Sequence, residues 1–397
     1  LFDLFVVSFE RLTTFAPKFG FLSKAITVMS FIINTKRFLM VAFAILALTP
    51  SFASEHAEKE EKFNVSEMIM HHVSDAHEWH LWGGHHDAVS VYLPIILVDG
   101  GLKTFSSVHF YHGEAKTAVD AKTGEEVHYM AGVGPAAGYA LVHEEIYKLN
   151  NGELSFENGH VHHAVAPLDL SITKNVLSLF FGATLLLIIF FNVARFYKKN
   201  AYSAPRGLAK YLEVLILMVQ DNIAKENISH GKHKKYVPYL LTIFFFIFIN
   251  NLLGLVPIIP GGANLTGNIT VTLFLAVCTL LVTLFSGNKN YWGHIFAMPG
   301  VPKVLLIIMI PIEIVGIFTK PFALMVRLFA NMTAGHIIIL SLISIIFINQ
   351  SAAWGSLSVP MALFISTLEL LVAFLQAFLF TVLSALFIGA AVEEAHH

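Results

Sequence analysis

Beyond residue 169 the chain alternates long apolar runs with short polar breaks. The runs cover Val176–Phe196, Tyr239–Ile259, Ile269–Phe285, Val304–Asn349 and Leu357–Ala391. Each reaches the ~17–25 residues that cross a hydrocarbon core at about 1.5 Å per residue, so the pattern predicts five membrane helices. Between the first two runs, Leu208, Leu212, Leu215, Val219 and Ile223 recur at spacings of three and four, while Lys210, Glu213, Gln220 and Asp221 fall elsewhere. That spacing predicts an amphipathic helix over Leu208–Ala224, lying in the membrane interface. The fourth run would make a helix of roughly 70 Å against a core of ~30 Å. Ordinary tilts reach only about 40°, so this helix must be steeply inclined or bend at Pro311 or Pro321. With the fifth run it forms a long inclined hairpin.

Before residue 170 the pattern changes. Residues 54–169 hold 18 of the 27 acids, 14 of the 20 histidines, six lysines and no arginine. Helical spacing over Glu67–Trp82 is followed by a Val89–Val98 run, Gly100-Gly101, Thr104–Tyr111 and a turn-like Asp120–Glu126, which predicts short strands and turns. The expected unit is a small, mixed α/β, water-exposed domain. Ahead of it, Lys36 and Arg37 precede an apolar run from Phe38 to Leu48 and the small-x-small motif Ser51-Phe52-Ala53. This reads as a signal peptide cleaved after Ala53, and residues 1–28, ahead of Met29, read as a mis-called upstream start. The expected organisation is therefore 1–53 as targeting segment, 54–169 as external domain and 170–397 as membrane domain.

Composition agrees with a bilayer: 56% of residues are hydrophobic and 13% charged, with a mean hydropathy of +0.68, where soluble domains carry about 25% charge. The formal charge of −2 provides no basic footprint for nucleic acid, and the single Cys278 no disulfide framework. Arg195, Lys198, Lys199, Arg206, Lys210, Lys225, Lys232, Lys234 and Lys235 follow the first span, and Lys289 and Lys303 the third. Those sides are expected to be cytoplasmic. Pro260–Asn268 and Gln350–Ser356 carry no Lys or Arg and are expected outside, which leaves the terminal Glu393-Glu394-Ala395-His396-His397 inside. His160-Val161-His162-His163, and His71-His72 with His77 and His80, lack a zinc-type Cys/His framework. They read as a solvated His-rich surface, with no metal and no cofactor expected. No HExxH, GxSxG or GxxxxGK[ST] motif occurs, so nucleotide chemistry would belong to other chains.

Ionisable groups within the last two apolar runs are Glu313, Lys320, Arg327, His336 and Glu369, with Asn331 and Gln376 beside them. An arginine at mid-membrane costs ~2.5–3.5 kcal/mol on insertion scales, so each such group points to function and a partner. Glu313, Lys320 and Arg327 are seven apart and share one stripe, which Asn331 extends by a turn; Glu369 and Gln376 are likewise seven apart. An antiparallel hairpin that sets Arg327 opposite Gln376, and His336 opposite Glu369, turns near residue 352, where Ser351–Ser356 breaks the apolar pattern. His336 lies about 900° of helical rotation from Arg327, on the opposite side, and about 13–14 Å further along.

Lys320-Pro321, then Arg327-Leu328-Phe329-Ala330-Asn331-Met332-Thr333-Ala334-Gly335-His336, resembles the signature helix of the a subunits of F-type ATP synthases. Leu375-Gln376-Ala377-Phe378 resembles its partner helix, and Asn250-Asn251-Leu252-Leu253-Gly254-Leu255-Val256-Pro257 the family's second span. The resemblance covers about residues 169–394, and the preceding domain is similar to the enlarged external regions of some bacterial members. It implies a proton-translocating stator in a bacterial inner membrane, with a c-subunit ring, a b-subunit peripheral stalk and the rest of the complex as partners. Arg327 would face the ring carboxylates with Asn331 and Gln376 as neighbours, His336 and Glu369 would line an external half-channel, and Glu313 the cytoplasmic half. The acid and histidine stand in the reversed order relative to many members. A secondary transporter is the rival reading, but no paired halves with broken helices are visible. A receptor or metal-binding ectodomain on an anchor would leave the Arg–Asn–Gln set unexplained.

Overall fold

The computed structural model describes residues 65–82, 89–124, 126–149, 152–162, 164–199, 207–228, 231–256, 262–296 and 302–393. The expected signal peptide, the upstream start, His163 and the C-terminal 394–397 lie outside them.

The N-terminal region begins with α1 (Val65–Val73) and continues through strands β1 (Glu78–Trp82), β2 (Val89–Tyr92), β3 (Pro94–Val98) and β4 (Leu102–Ser106). The expected helix over Glu67–Trp82 thus stops halfway. Asp75 ends it: one carboxylate oxygen accepts from the Asn175 backbone N–H at 3.0 Å and the other from the Thr173 hydroxyl at 3.0 Å. Those partners lie about 100 residues downstream, where no local pattern could announce them. Trp79 then pairs with Val91 in β1–β2 and is buried. The Val89–Val98 run splits at Pro94, which lacks the N–H a ladder needs. The Thr104–Tyr111 run ends as a strand at Ser106, and Val108–Tyr111 is one helical turn, α2.

Strands β5 (Glu114–Val119), β6 (Glu126–Ala131), β7 (Tyr139–Val142) and β8 (Glu145–Lys148) form an antiparallel sheet in chain order. Asp120 closes the β5–β6 turn by accepting from the Lys122 and Thr123 N–H groups at 2.8 and 2.9 Å. All four residues of β7 are buried. Tyr139 and Leu141 face a cluster with Ile95, Leu97 and Phe110, whereas Ala140 and Val142 face another with Tyr129, Leu154 and Phe156. Side chains alternate sides along a strand, so β7 joins two small cores. Strands β9 (Ser155–Glu157) and β10 (His160–His162) pair, and β11 (Leu168–Asp169) joins β3 and β4 in a three-stranded sheet ordered β11-β3-β4.

Among the described residues five helices are long and apolar enough to cross a membrane. They are α3 (Lys174–Lys199), α5 (His233–Gly254), α6 (Ile269–Ser286), α8 (Lys303–Ile348) and α9 (Gly355–Val392), with α4 (Leu208–Leu217) and α7 (Lys289–Phe296) between them. Helix α5 starts six residues earlier than the apolar run and ends before Pro257, which disfavours helix in the residue preceding it. Helix α8 is continuous over 46 residues, with Pro311 and Pro321 inside it. The amphipathic segment is not one regular α-helix, because Met218–Ala224 is π-helical. The wider turn sets Met218, Val219, Ile223 and Ala224 all against the bundle. Leu240, Phe244 and Ile247 of α5 and Ala373, Ala377 and Phe380 of α9 form the centre, each 2% exposed or less. Large apolar side chains of α3 and α8 remain exposed, among them Phe180, Phe191, Ile307 and Phe322.

Candidate functional site

Leu324, Leu328 and Met332 of α8 recur every four residues and are buried against α5 and α9. His336 is the next position in that row. Its Nδ1 stands 2.7 Å from a carboxylate oxygen of Glu369 on α9, whose side chain is 3% exposed. The ring also lies 3.2 Å from the Met332 carbonyl and, through Nε2, 3.4 Å from the Gly254 carbonyl at the end of α5. Apart from the His336 contact, neither Glu369 oxygen has a hydrogen-bond partner among the described residues. A carboxylate buried in this way is tolerable only beside a cation or a proton donor.

The polar cluster extends behind the pair. The Asn251 amide donates to the Ala373 carbonyl at 3.2 Å and accepts from the Thr266 hydroxyl at 2.6 Å, while Thr333 donates to the Gly267 carbonyl at 3.3 Å. Four elements therefore meet here: the end of α5, the 3-10 turn Leu265–Gly267, α8 and α9. Gly335 permits the approach, because a Cβ there would stand 2.7 Å from the Glu369 Oε1 atom. Sequence reasoning named His336 and Glu369 but passed over the parts played by Gly335, Thr266 and the Gly254 carbonyl. The available signal was a glycine adjoining an intramembrane histidine, since small residues mark close helix approach in membranes.

Arg327 and Asn331 are exposed, four residues apart on one face, and Arg327 forms no ion pair among the described residues. Gln376 is buried, at 5% exposure, one helical stripe along from Glu369. No direct hydrogen bond joins it to Arg327. Glu313 is half-buried fourteen positions earlier on α8. Lys320 lies between them with its Nζ 6.0 Å from the Phe387 ring centroid, and it borders a crevice lined by Thr283, Tyr291, Pro321 and Phe387. The structure thus joins His336 to Glu369 and groups Arg327 with Asn331 on a separate face.

A second charged cluster sits where the N-terminal region meets α3. His77 is 2% exposed, not part of a solvated surface as expected, and it lies just before β1, not on a helix with His80. Its Nε2 is 3.3 Å from Asp169 and its Nδ1 3.7 Å from Glu144. Burial opposes the charged ring, but the Asp169 and Glu144 carboxylates outweigh it and hold the pKa up to about 9. Glu144 reaches His77 from the β7–β8 turn, where His143 and Glu144 have φ of 47° and 69°, and it also accepts from the Tyr111 hydroxyl at 2.9 Å. His162, by contrast, is an exposed histidine paired with Glu157 at 3.0 Å. No group of three or more metal-type ligands forms among the described residues.

Residues 176–389 match the family model described as ATP synthase A chain, and residues 68–170 match a domain of unknown function. "ATP synthase subunit a 2" of Chlorobaculum tepidum is 48% identical over 309 residues, covering 74% of this chain and 84% of that relative. Its namesake in Prosthecochloris aestuarii is 45% identical over 316 residues, covering 77% and 92%. "ATP synthase subunit a" of an Anaeromyxobacter species is 46% identical over 238 residues, covering 58% and 56%. With its five apolar helices, its buried intramembrane polar cluster and these matches, the chain belongs to the ATP synthase A chain family.

Proposed function

We propose that this chain is the proton path of its complex, with two offset half-channels and one fixed cation between them. The supporting observation is that α8 sets a half-buried His336 against the buried Glu369 at 2.7 Å while leaving Arg327 exposed on its other side. The polar junction of His336, Glu369, Asn251 and Thr266 would admit protons from outside. Glu313, with the crevice beside Lys320 and Tyr291, would release them to the cytoplasm. Arg327 and Asn331, with Gln376 behind them, would face the carboxylates of a c-subunit ring.

Desolvation disfavours a charged carboxylate, so a ring carboxylate facing lipid keeps its proton while it travels. At ~4 Å from Arg327, at an effective dielectric of 20, its ionised form gains about 4 kcal/mol. The proton then leaves on the side whose half-channel is open. Arginine does not deprotonate in proteins, so Arg327 also blocks direct passage between the two routes.

In this reading α8 and α9 lie as an inclined hairpin in a bacterial inner membrane, α4 rests in the interface and a b-subunit stalk holds the chain. Residues 54–169 form the external domain and the C-terminus is cytoplasmic. ATP-driven proton pumping by the purified complex in vesicles tests the function. Full pumping by complexes lacking the charge at both Arg327 and Glu369 would refute it.

A further inference from the structure

The three-stranded sheet β11-β3-β4 has an inner face and an outer face of different character. Ile95 and Leu97 point inward and are fully buried, and Lys103, on the same side, donates to the Tyr139 hydroxyl at 2.9 Å. The outer row alternates with them. Val98 pairs with Leu102 on one side and with Leu168 on the other, Ile96 pairs with Thr104, and Pro94 with Ser106. Backbone bonds carry the pairing past β11, from Leu170 N–H to the Ile96 carbonyl at 2.9 Å and from Ile172 N–H to the Pro94 carbonyl at 3.1 Å. Leu170 and Ile172 therefore join the outer face.

No charged residue occupies any of these outer positions. Leu102 is 70% exposed, Leu168 62%, Leu170 57% and Val98 39%. A solvated sheet face normally carries polar residues in the alternate positions. This one instead presents an uncharged surface that is aliphatic along β11, β3 and Leu102, with hydroxyls only at Thr104 and Ser106 of β4.

The face lies beside the start of a membrane span. Ile172 stands two residues before Lys174, the first residue of the membrane helix α3. At about 3.4 Å per extended residue, the whole row from Leu168 lies within roughly 20 Å of the start of that span. The domain is tied down there: Lys174 donates its backbone N–H to the Ala76 carbonyl at 3.0 Å and its amine to the His72 carbonyl at 3.1 Å. On its other flank α1 packs against α8.

We propose that the outer face of β11-β3-β4 is a membrane-docking surface that rests face-on at the boundary between lipid headgroups and acyl chains. The partner is the bilayer itself, and recognition is by aliphatic burial without headgroup charge selectivity, since no basic residue stands on the face. Lying face-on keeps the strand edges at headgroup level, where their free backbone groups can still meet water.

The test uses the intact complex in a Cys278→Ser background, with an environment-sensitive fluorophore attached to Leu102→Cys, Leu168→Cys or Thr104→Cys on the face. Val119→Cys, on β5 and also exposed, is the control. Each is reconstituted in phosphatidylcholine vesicles with or without bromine on the acyl chains. Docking predicts roughly twofold quenching by the brominated lipid at the three face positions and none at Val119. Unchanged emission at all four positions, equal quenching at all four, or cross-linking of the face labels to another subunit without quenching would each overturn the proposal. Thr104→Cys keeps the test valid if a leucine replacement prevents assembly.

Discussion

A Cβ placed on Gly335 would stand 2.7 Å from the Glu369 carboxylate oxygen that His336 contacts. The glycine therefore sets how closely α8 and α9 approach at this level. Gly335→Ala should leave the helix at least as stable, since alanine is favoured over glycine in a helix interior by about 1 kcal/mol. It should nevertheless push Glu369 off His336. Misplacing a positioned group by ~1 Å can cost on the order of 100-fold in rate, so ATP-driven pumping should fall by one to two orders of magnitude with assembly intact. Normal pumping by the assembled Gly335→Ala complex would show that the close approach is incidental.

Arg327→Ala should abolish coupled transport without harming assembly. The side chain is exposed on this chain and pairs with no acid among the described residues, so its removal orphans no buried charge. The change also removes a charge whose place at mid-membrane costs ~2.5–3.5 kcal/mol on insertion scales, so stability should not fall. Passive proton leak should persist or rise. Blue-native electrophoresis would report assembly and vesicle acidification the coupling; retained acidification would exclude the role.

The His77 cluster should make the junction between the two parts of the chain pH-dependent. A histidine whose pKa is raised to about 9 contributes its full stabilisation below its ordinary value near 6.5 and loses it as pH rises through 9. Asp169, whose carboxyl burial would raise but His77 and Ser171 hold low, loses its share only when pH falls below the ordinary carboxylate range. Glu144, the Tyr111 hydroxyl and the nearby Lys174 complete the surroundings. Between about pH 6.5 and 9 the junction should weaken by about 3 kcal/mol. Hydrogen-exchange protection in β7–β8, with the intrinsic base-catalysed rise in exchange divided out, should fall over that window in the native chain and not in His77→Gln. The same loss of protection in both would assign it elsewhere.

Much of this architecture was legible because spans need long apolar runs and nothing else in the sequence makes them. The ends of α5 moved by several residues because the run did not mark where Gly254 and Pro257 stop the helix. The helical spacing over Glu67–Trp82 does not carry a helix to its end, because Asp75 is claimed by Thr173 and Asn175, far along the chain. The pairing of His336 with Glu369 could be read from an antiparallel register, since helix period and turn position suffice to place two residues opposite each other. The burial of His77 could not, because it depends on a turn at Glu144 and a strand at Asp169 meeting in space. Gln376 was expected beside Arg327, yet in the chain alone it is buried while Arg327 is exposed.

The sharpest test exchanges the partners of the buried pair. His336 and Glu369 meet at 2.7 Å with Glu369 almost wholly buried, so losing either leaves the other uncompensated, typically at about 3–5 kcal/mol unless it is neutralised. Single changes, His336→Glu or Glu369→His, put two like groups in one site and should each slow pumping strongly. The double exchange restores one acid and one imidazole in the same place and should recover more activity than either single change, a positive coupling in a double-mutant cycle. Recovery should be partial. An imidazole at 336 faces the Met332 and Gly254 carbonyls, and a glutamate there can satisfy only one of them, and only when protonated. Arg327 lies on the other side of α8, so a label or charge probe there should report the same environment in all four proteins. Pumping rates decide it: a double exchange slower than both singles, with losses that simply add, would mean that the two groups act independently despite their contact.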